Sequence, residues 1–177
     1  MVVSLPLNQV LQYNASEPTS SLVLSKASNL FKLYLSDIGL LAAMYSDGIQ
    51  LKILNREHDI NFGSIYENAV AQELKAHGYT LYYYNSKKNG ELDFLIEEGA
   101  RVIPIEVKSG KSYNKHNALN RILTIERYDV SKAYVLSNEN VSSDGKVVYL
   151  PIYMMMFIQK NDDLQDLIYK PDFSDLM

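Results

Sequence analysis

The stretch Gly90-Glu-Leu-Asp-Phe-Leu-Ile-Glu-Glu-Gly-Ala-Arg-Val-Ile-Pro-Ile-Glu-Val-Lys108 reads as a β-hairpin. Leu92, Phe94 and Ile96 alternate on its first strand and Ile103, Ile105 and Val107 on its second, so one face is expected to be apolar throughout. The other face carries Glu91, Asp93, Glu106 and Lys108. A two-residue turn at Gly99-Ala100 suits a primed hairpin turn, because glycine tolerates positive φ. That register pairs Glu98 with Arg101, sets Asp93 opposite Glu106, and sets Glu91 opposite Lys108. Facing side chains have Cβ atoms about 5 Å apart, and like charges there are destabilising. Glu91 with Lys108 is a favourable pair. Asp93 with Glu106 asks for a cation between them or a proton on one of them. The plainer reading is a solvated charged face.

The bulk numbers narrow the class. The chain has 177 residues, enough for a domain with a real core plus an appendage. Hydrophobic residues make up 47%, which marks a globular chain. Cysteine is absent, which excludes disulfides and thiolate metal sites. His58, His77 and His116 show no metal-ligand spacing and are expected in surface or capping roles. No apolar run reaches the roughly 18 residues of a membrane helix, and the start lacks a basic signal region, so no membrane is expected and the cytoplasm is the default location. The net charge of −4 gives no global pull toward nucleic acid. Any such contact needs a local basic patch, and Lys87, Lys88, Lys108, Lys111 and Lys115 are expected to form a positive rim. The run Tyr82-Tyr83-Tyr84 reads as packing along a strand rather than as a stacking platform.

Residues 1–30 are weakly patterned. Leu30 to Leu35 alternates as a strand, and Asp37 is placed to cap a helix from Ile38 to Tyr45. Residues 49–62 read as a polar connector or short helix. Gly63 to Ala76 is a helix closed by Gly78. Strands follow near 80–85, 91–97 and 102–108, then a helix at about 115–128 and a strand from Ala133 to Ser137. Asp144-Gly145 turns into Val147 to Leu150, and Pro151 opens a short apolar helix through Phe157. Helix, three strands, helix and strand make an α/β arrangement, a central mixed sheet flanked by helices.

Val70, Ala71 and Leu74 form an apolar stripe at helical spacing, and Glu67 sits on it. Glu67 can therefore point at the sheet and join Asp93 and Glu106. Alternatively, Ser64-Ile-Tyr-Glu67 is a capping box in which Glu67 reaches back to the Ser64 amide. Carboxylates plus a lysine suit phosphodiester hydrolysis. Mg²⁺ takes oxygen ligands, and a lysine on the same face can serve the attacking water or the phosphate charge.

The pattern Glu67…Asp93…Glu106-Val-Lys108, set on helix–strand–strand–strand–helix–strand, resembles the core of the PD-(D/E)xK nuclease superfamily. The resemblance implies a restriction-endonuclease-like core. It implies that Asp93 and Glu106 ligate Mg²⁺ or Mn²⁺, that Glu67 completes the metal site, and that Lys108 serves water and phosphate. The proline before the aspartate is replaced by Leu92. Segments Phe31 to Leu41, Gly63 to Leu74, Gly90 to Phe94 and Ile105 to Gly110, with Leu150-Pro-Ile-Tyr153, resemble the C-terminal region of a prokaryotic family of AAA-type ATPases. That region is a domain of uncharacterised function with nuclease-like residues. The resemblance implies an upstream ATPase and winged helix, with residues 1–60 leading in, 61–158 as the nuclease-like core, and 159–177 as an acidic tail. Gly110-Lys111-Ser112 is a decoy for a phosphate-binding loop, because the earlier glycine would fall at Ile105. This chain is therefore expected to bind no nucleotide and to be the C-terminal part of a longer protein.

The leading expectation is a Mg²⁺-dependent nuclease acting on nucleic acid. The alternative is a nuclease-derived binding or assembly module without turnover, favoured by the net charge and by Glu91, whose extra acid would repel phosphate. Homo-oligomerisation is left open.

Overall fold

A computed structural model describes residues 9–45, 48–55, 62–110 and 113–160. The elements run β1 (Gln9–Ala15), β2 (Lys26–Leu35), α1 (Ile38–Met44), α2 (Ile49–Leu54), α3 (Gly63–Ala76), β3 (Leu81–Ser86), β4 (Gly90–Glu98) and β5 (Arg101–Val107). Then come α4 (Asn117–Leu123), a 3-10 turn (Glu126–Tyr128), β6 (Ala133–Ser137), β7 (Ser142–Asp144), β8 (Val147–Pro151) and a second 3-10 turn (Ile152–Phe157).

All eight strands form one mixed sheet in the order β2-β1-β3-β4-β5-β6-β8-β7. β3, β4 and β5 are antiparallel neighbours, while β1 joins β3, β6 joins β5 and β8 joins β6 in parallel. The hairpin β4–β5 is thus central in the sheet. Its turn holds Gly99 at φ +60°, and Glu98 pairs with Arg101. β1 comes from the weakly patterned start of the chain and lies between β2 and β3, so the leading residues and the core share one sheet.

Helices cover the two faces. The α3 stripe Val70, Ala71 and Leu74 packs with Phe94, Ile96, Ile103, Ile105, Val107 and Leu136. On the other side, Leu119 and Ile122 of α4 pack with Tyr82, Tyr84, Leu92, Leu95, Val102 and Val135. Burial on both faces is why β4 and β5 read as dense apolar runs. Truncating fully buried Phe94 to Ala should cost ~3–5 kcal/mol. Tyr82, Tyr83 and Tyr84 are all buried, in agreement with a packing role.

One helical expectation holds and another changes. Asp37 does cap α1, its Oδ1 accepting the Leu40 N–H at 2.7 Å. The helix expected at 115–128 instead ends at Leu123. Thr124 Oγ1 donates back to the Arg121 carbonyl at 2.7 Å, and i→i+3 bonds from Thr124 and Ile125 tighten the last turn. The strand β7 was not expected; it closes a hairpin on β8 across Gly145, which has φ +55°. Among the described residues, no helix is long and apolar enough to cross a membrane. His58, Lys111, Ser112 and the tail from 161 onward lie outside the described residues.

Candidate active site

A bulge in β4 organises the site. Tyr82 pairs with Leu95 and Tyr84 with Leu92, so Asp93 and Phe94 together face Tyr83. An extra residue reverses the alternation of everything before it. Leu92 was expected beside Phe94 and Ile96, yet it packs on the α4 side while they pack on the α3 side. Glu91 turns over with it. The expected Glu91–Lys108 pair is not made: Glu91 pairs with Lys32 on β2 and accepts from Asn85 Nδ2 at 2.9 Å. Lys32 therefore neutralises the extra acid that was expected to repel phosphate, and its ammonium also lies 5.0 Å from the Tyr83 ring centre.

Asp93 stands where the alternation switches. The β4–β5 register runs from Glu98–Arg101 to Phe94–Ile105, and continuing it sets Asp93 across from Glu106. Here the Asp93 side chain replaces the ladder: its Oδ2 accepts the Val107 N–H at 2.7 Å. Its carboxylate thus lies in the seam between the two strands. Glu106 is flanked by Ile105 and Val107, which both pack on the α3 side, so it leaves the sheet toward α4, beside Val135. The single charged face expected for this hairpin is therefore split by the bulge, and Asp93 lies between its parts. Glu106 is 5% exposed. Lys108 Nζ sits 2.6 Å from Glu106 Oε1, whereas Glu106 Oε2 is buried without a hydrogen-bond partner.

The charges interact strongly. The Asp93 pKa is pushed up to about 7, first by burial and next by the Glu106 charge; the Val107 amide opposes the rise, Glu67 adds to it, and Lys108 subtracts. Both other carboxylates thus act on Asp93.

Glu67 is not in a capping box. Phe62, not Ser64, precedes α3, in helical conformation at φ −70°, so Ser64 already lies inside the helix. The Ser64 hydroxyl bonds the Tyr45 hydroxyl at 3.2 Å. Glu67 instead points to the sheet, where Tyr34 Oη lies 3.4 Å from its Oε2. The single Tyr34 hydroxyl hydrogen is shared between that carboxylate and the nearer Gln12 Oε1, at 3.1 Å, and Gln12 Nε2 donates to the carbonyls of Tyr82, at 3.1 Å, and Asp93. Burial, then the charges of Glu67 and Asp93, raise the Tyr34 pKa, which keeps its hydroxyl a donor. Gln12, Lys32 and Tyr34 escaped the sequence reading. Tyr34 at least lay on an alternating strand; nothing near Gln12 marks it.

Among the basic residues, Lys87, Lys88 and Lys115 are exposed. They come from the β3–β4 turn and the approach to α4, which touch: Arg121 Nη1 lies 3.4 Å from the Lys88 carbonyl, and a Cβ on Gly90 would meet Ala118 at 3.2 Å. His77 fits a capping role, bonding the Ile158 carbonyl at 2.8 Å. His116 departs from a surface role, although it stands at the N-cap position of α4. It is buried, caps nothing through its side chain, and bonds the Tyr149 hydroxyl at 2.8 Å.

Among the described residues, no three His, Cys, Asp or Glu side chains are gathered as a metal-ion site. The acidic pair still fits a hard cation. Glu106 Oε2 is a buried oxygen in want of a partner, the donor atoms are carboxylate oxygens, and the positive charge would relieve the Asp93–Glu106 repulsion. Asp93 and Glu106 would hold such an ion, and Glu67 acts on Asp93 through its charge.

Fold and site together define a mixed α/β domain with an acidic pair and a lysine where two central strands part. The chain belongs to the family described as a domain of unknown function, DUF4143, whose model matches residues 62–155. Glu67, Asp93, Glu106 and Lys108 lie inside the match; Gln12, Lys32 and Tyr34 lie outside it. No curated protein and no solved structure matches the chain.

Proposed function

We propose that this domain is a Mg²⁺- or Mn²⁺-dependent phosphodiesterase of the PD-(D/E)xK nuclease type, with a restriction-endonuclease-like core. It cuts nucleic acid in the cytoplasm, beside an upstream AAA-type ATPase module. One observation carries the reading: Glu106 leaves a buried oxygen unpartnered beside an Asp93 carboxyl that it repels. A solvated charged face would not bury such an oxygen, because unpaired buried charge is expensive.

Asp93 and Glu106 bind the cation, and Glu67 completes the acidic edge. When bound, the cation would polarise a phosphoryl oxygen and neutralise charge on the phosphate. Lys108, still 26% exposed along its side chain, reaches toward solvent from Glu106 and can place its charge on the phosphate or orient the attacking water. Lys87, Lys88 and Lys115 guide the polyanion to an otherwise acidic protein.

A second reading, an assembly module without turnover, is favoured by one feature. Leu11 and Leu33 are cross-strand partners at the β1–β2 edge and are 43% and 50% exposed, with Phe31 beside them at 51%. An exposed apolar edge of this kind suits a protein partner. Single- and double-stranded DNA and RNA should be incubated with the chain and Mg²⁺ or Mn²⁺. Cleavage lost in Asp93→Asn supports the nuclease. Metal binding with no cleavage, even with the ATPase module restored, leaves the assembly module as the better account.

A further inference from the structure

Gln12 is fully buried on β1, paired in register with Lys32 and Leu81. A buried glutamine must place both amide hydrogens and its carbonyl on partners. Its Nε2 spends both hydrogens on the carbonyl of Tyr82, on the facing strand β3, and that of Asp93, within the β4 bulge. A bulge leaves backbone groups without ladder partners, and Gln12 fills that place. With Nε2 so committed, Oε1 is fixed toward the Tyr34 hydroxyl, which also lies 3.4 Å from Glu67 Oε2. The Tyr34 ring is held independently against Phe94, with centroids 5.8 Å apart.

We propose that Gln12 and Tyr34 are positioning residues: Gln12 pins the bulge that swings the Asp93 carboxylate into the β4–β5 seam, and Tyr34 ties that pin to Glu67. The strand pair β1–β2, outside the matched segment, thereby belongs to the site. The proposal deepens the nuclease reading and rests on it for its functional meaning, but the geometry it claims can be tested without metal.

The test uses the full chain with Gln12→Met, which keeps the volume and removes the hydrogen bonds, and Tyr34→Phe, which keeps the ring. The local readout is amide hydrogen exchange at Val107, whose N–H is held by Asp93 Oδ2, with buried Val135 on β6 as the control. Gln12→Met should speed Val107 exchange by roughly tenfold or more with Val135 unchanged, and both variants should weaken Mn²⁺ binding by roughly 10–100-fold, the range for groups that orient metal ligands. Unchanged Val107 exchange in Gln12→Met overturns the pin, as does an acceleration that Val135 shares equally. Unchanged Mn²⁺ affinity in Tyr34→Phe overturns the tie to Glu67. Should the wild-type chain bind no Mn²⁺, the nuclease reading and the tie fail together, while Val107 exchange still decides whether Gln12 pins the bulge.

Discussion

Lys108 holds one oxygen of Glu106 at 2.6 Å while the other oxygen of that buried carboxylate has no partner. Half of the carboxylate is thus satisfied by a partly exposed lysine. Lys108→Ala should destabilise the metal-free chain by ~1–3 kcal/mol, the cost of stranding a buried charged acceptor. The loss stays below that of a fully buried pair because Lys108 is partly solvated. Mn²⁺ should still bind, whereas cleavage should fall ~100-fold or more. Urea titrations with and without Mn²⁺, beside a cleavage assay, check both halves; unchanged stability together with unchanged cleavage would remove Lys108 from the site.

Asp93→Asn should separate metal binding from folding. The amide keeps an oxygen for the Val107 N–H and removes the charge that Glu106 repels. The variant should lose the stabilisation that Mg²⁺ or Mn²⁺ confers by binding only the folded chain. In the absence of metal it should match or exceed the wild type at about pH 8. Thermal melts across a Mn²⁺ series measure this. A variant that gains as much from Mn²⁺ as the wild type does would show that the ion binds elsewhere.

The pH dependence has a definite sign. An ordinary aspartate titrates near ~3.9, but folded Asp93 titrates at about 7. Between these values the folded chain holds the extra proton, so stability from this group is full below pH ~4 and is lost as pH rises toward 7. The loss is at most ~4 kcal/mol, since each tenfold change in proton affinity is worth about 1.4 kcal/mol. The stability difference between wild type and Asp93→Asn should therefore move in favour of the variant from pH ~4 to ~7 and then level off. Metal affinity should rise over the same interval, because the proton competes with the cation. Urea unfolding of both proteins at several pH values supplies the measurement, and a difference that stays flat would show that Asp93 ionises normally.

The sequence made the hairpin legible because its turn is local: Gly99 supplies the positive φ, and Glu98–Arg101 follows from loop length. α3 was legible from the spacing of Val70, Ala71 and Leu74. The bulge at Asp93 was hidden because Glu91-Leu-Asp-Phe94 alternates perfectly and either register buries a large apolar side chain. What selects the bulged register comes from afar, through Gln12 on β1. That strand was itself hidden, since its pattern is inverted: Gln12 is 0% exposed while neighbouring Leu11 is 43% exposed. Periodicity reads a buried amide as a surface residue, so it could show neither the strand nor the pin.

Nucleic-acid binding should be strongly salt-dependent. The protein is acidic overall, so attraction must come from the local rim, and Lys87, Lys88 and Lys115 are exposed beside the contact between the β3–β4 turn and α4. Each phosphate neutralised releases counterions and adds about −0.9 to the slope of log K against log salt on duplex DNA, or about −0.7 on single strands. Lys87→Ala combined with Lys88→Ala should lower that slope by roughly 2 on duplex DNA, with affinity loss largest at low salt. The fold should be unaffected, because substitutions of exposed side chains usually change stability by less than ~0.5 kcal/mol. Fluorescence anisotropy of labelled single- and double-stranded oligonucleotides from about 50 to 200 mM salt reads the slope directly. An affinity indifferent to salt, or a slope unchanged in the double variant, would remove the rim as the phosphate track and turn attention to the apolar β1–β2 edge as the surface that engages a partner.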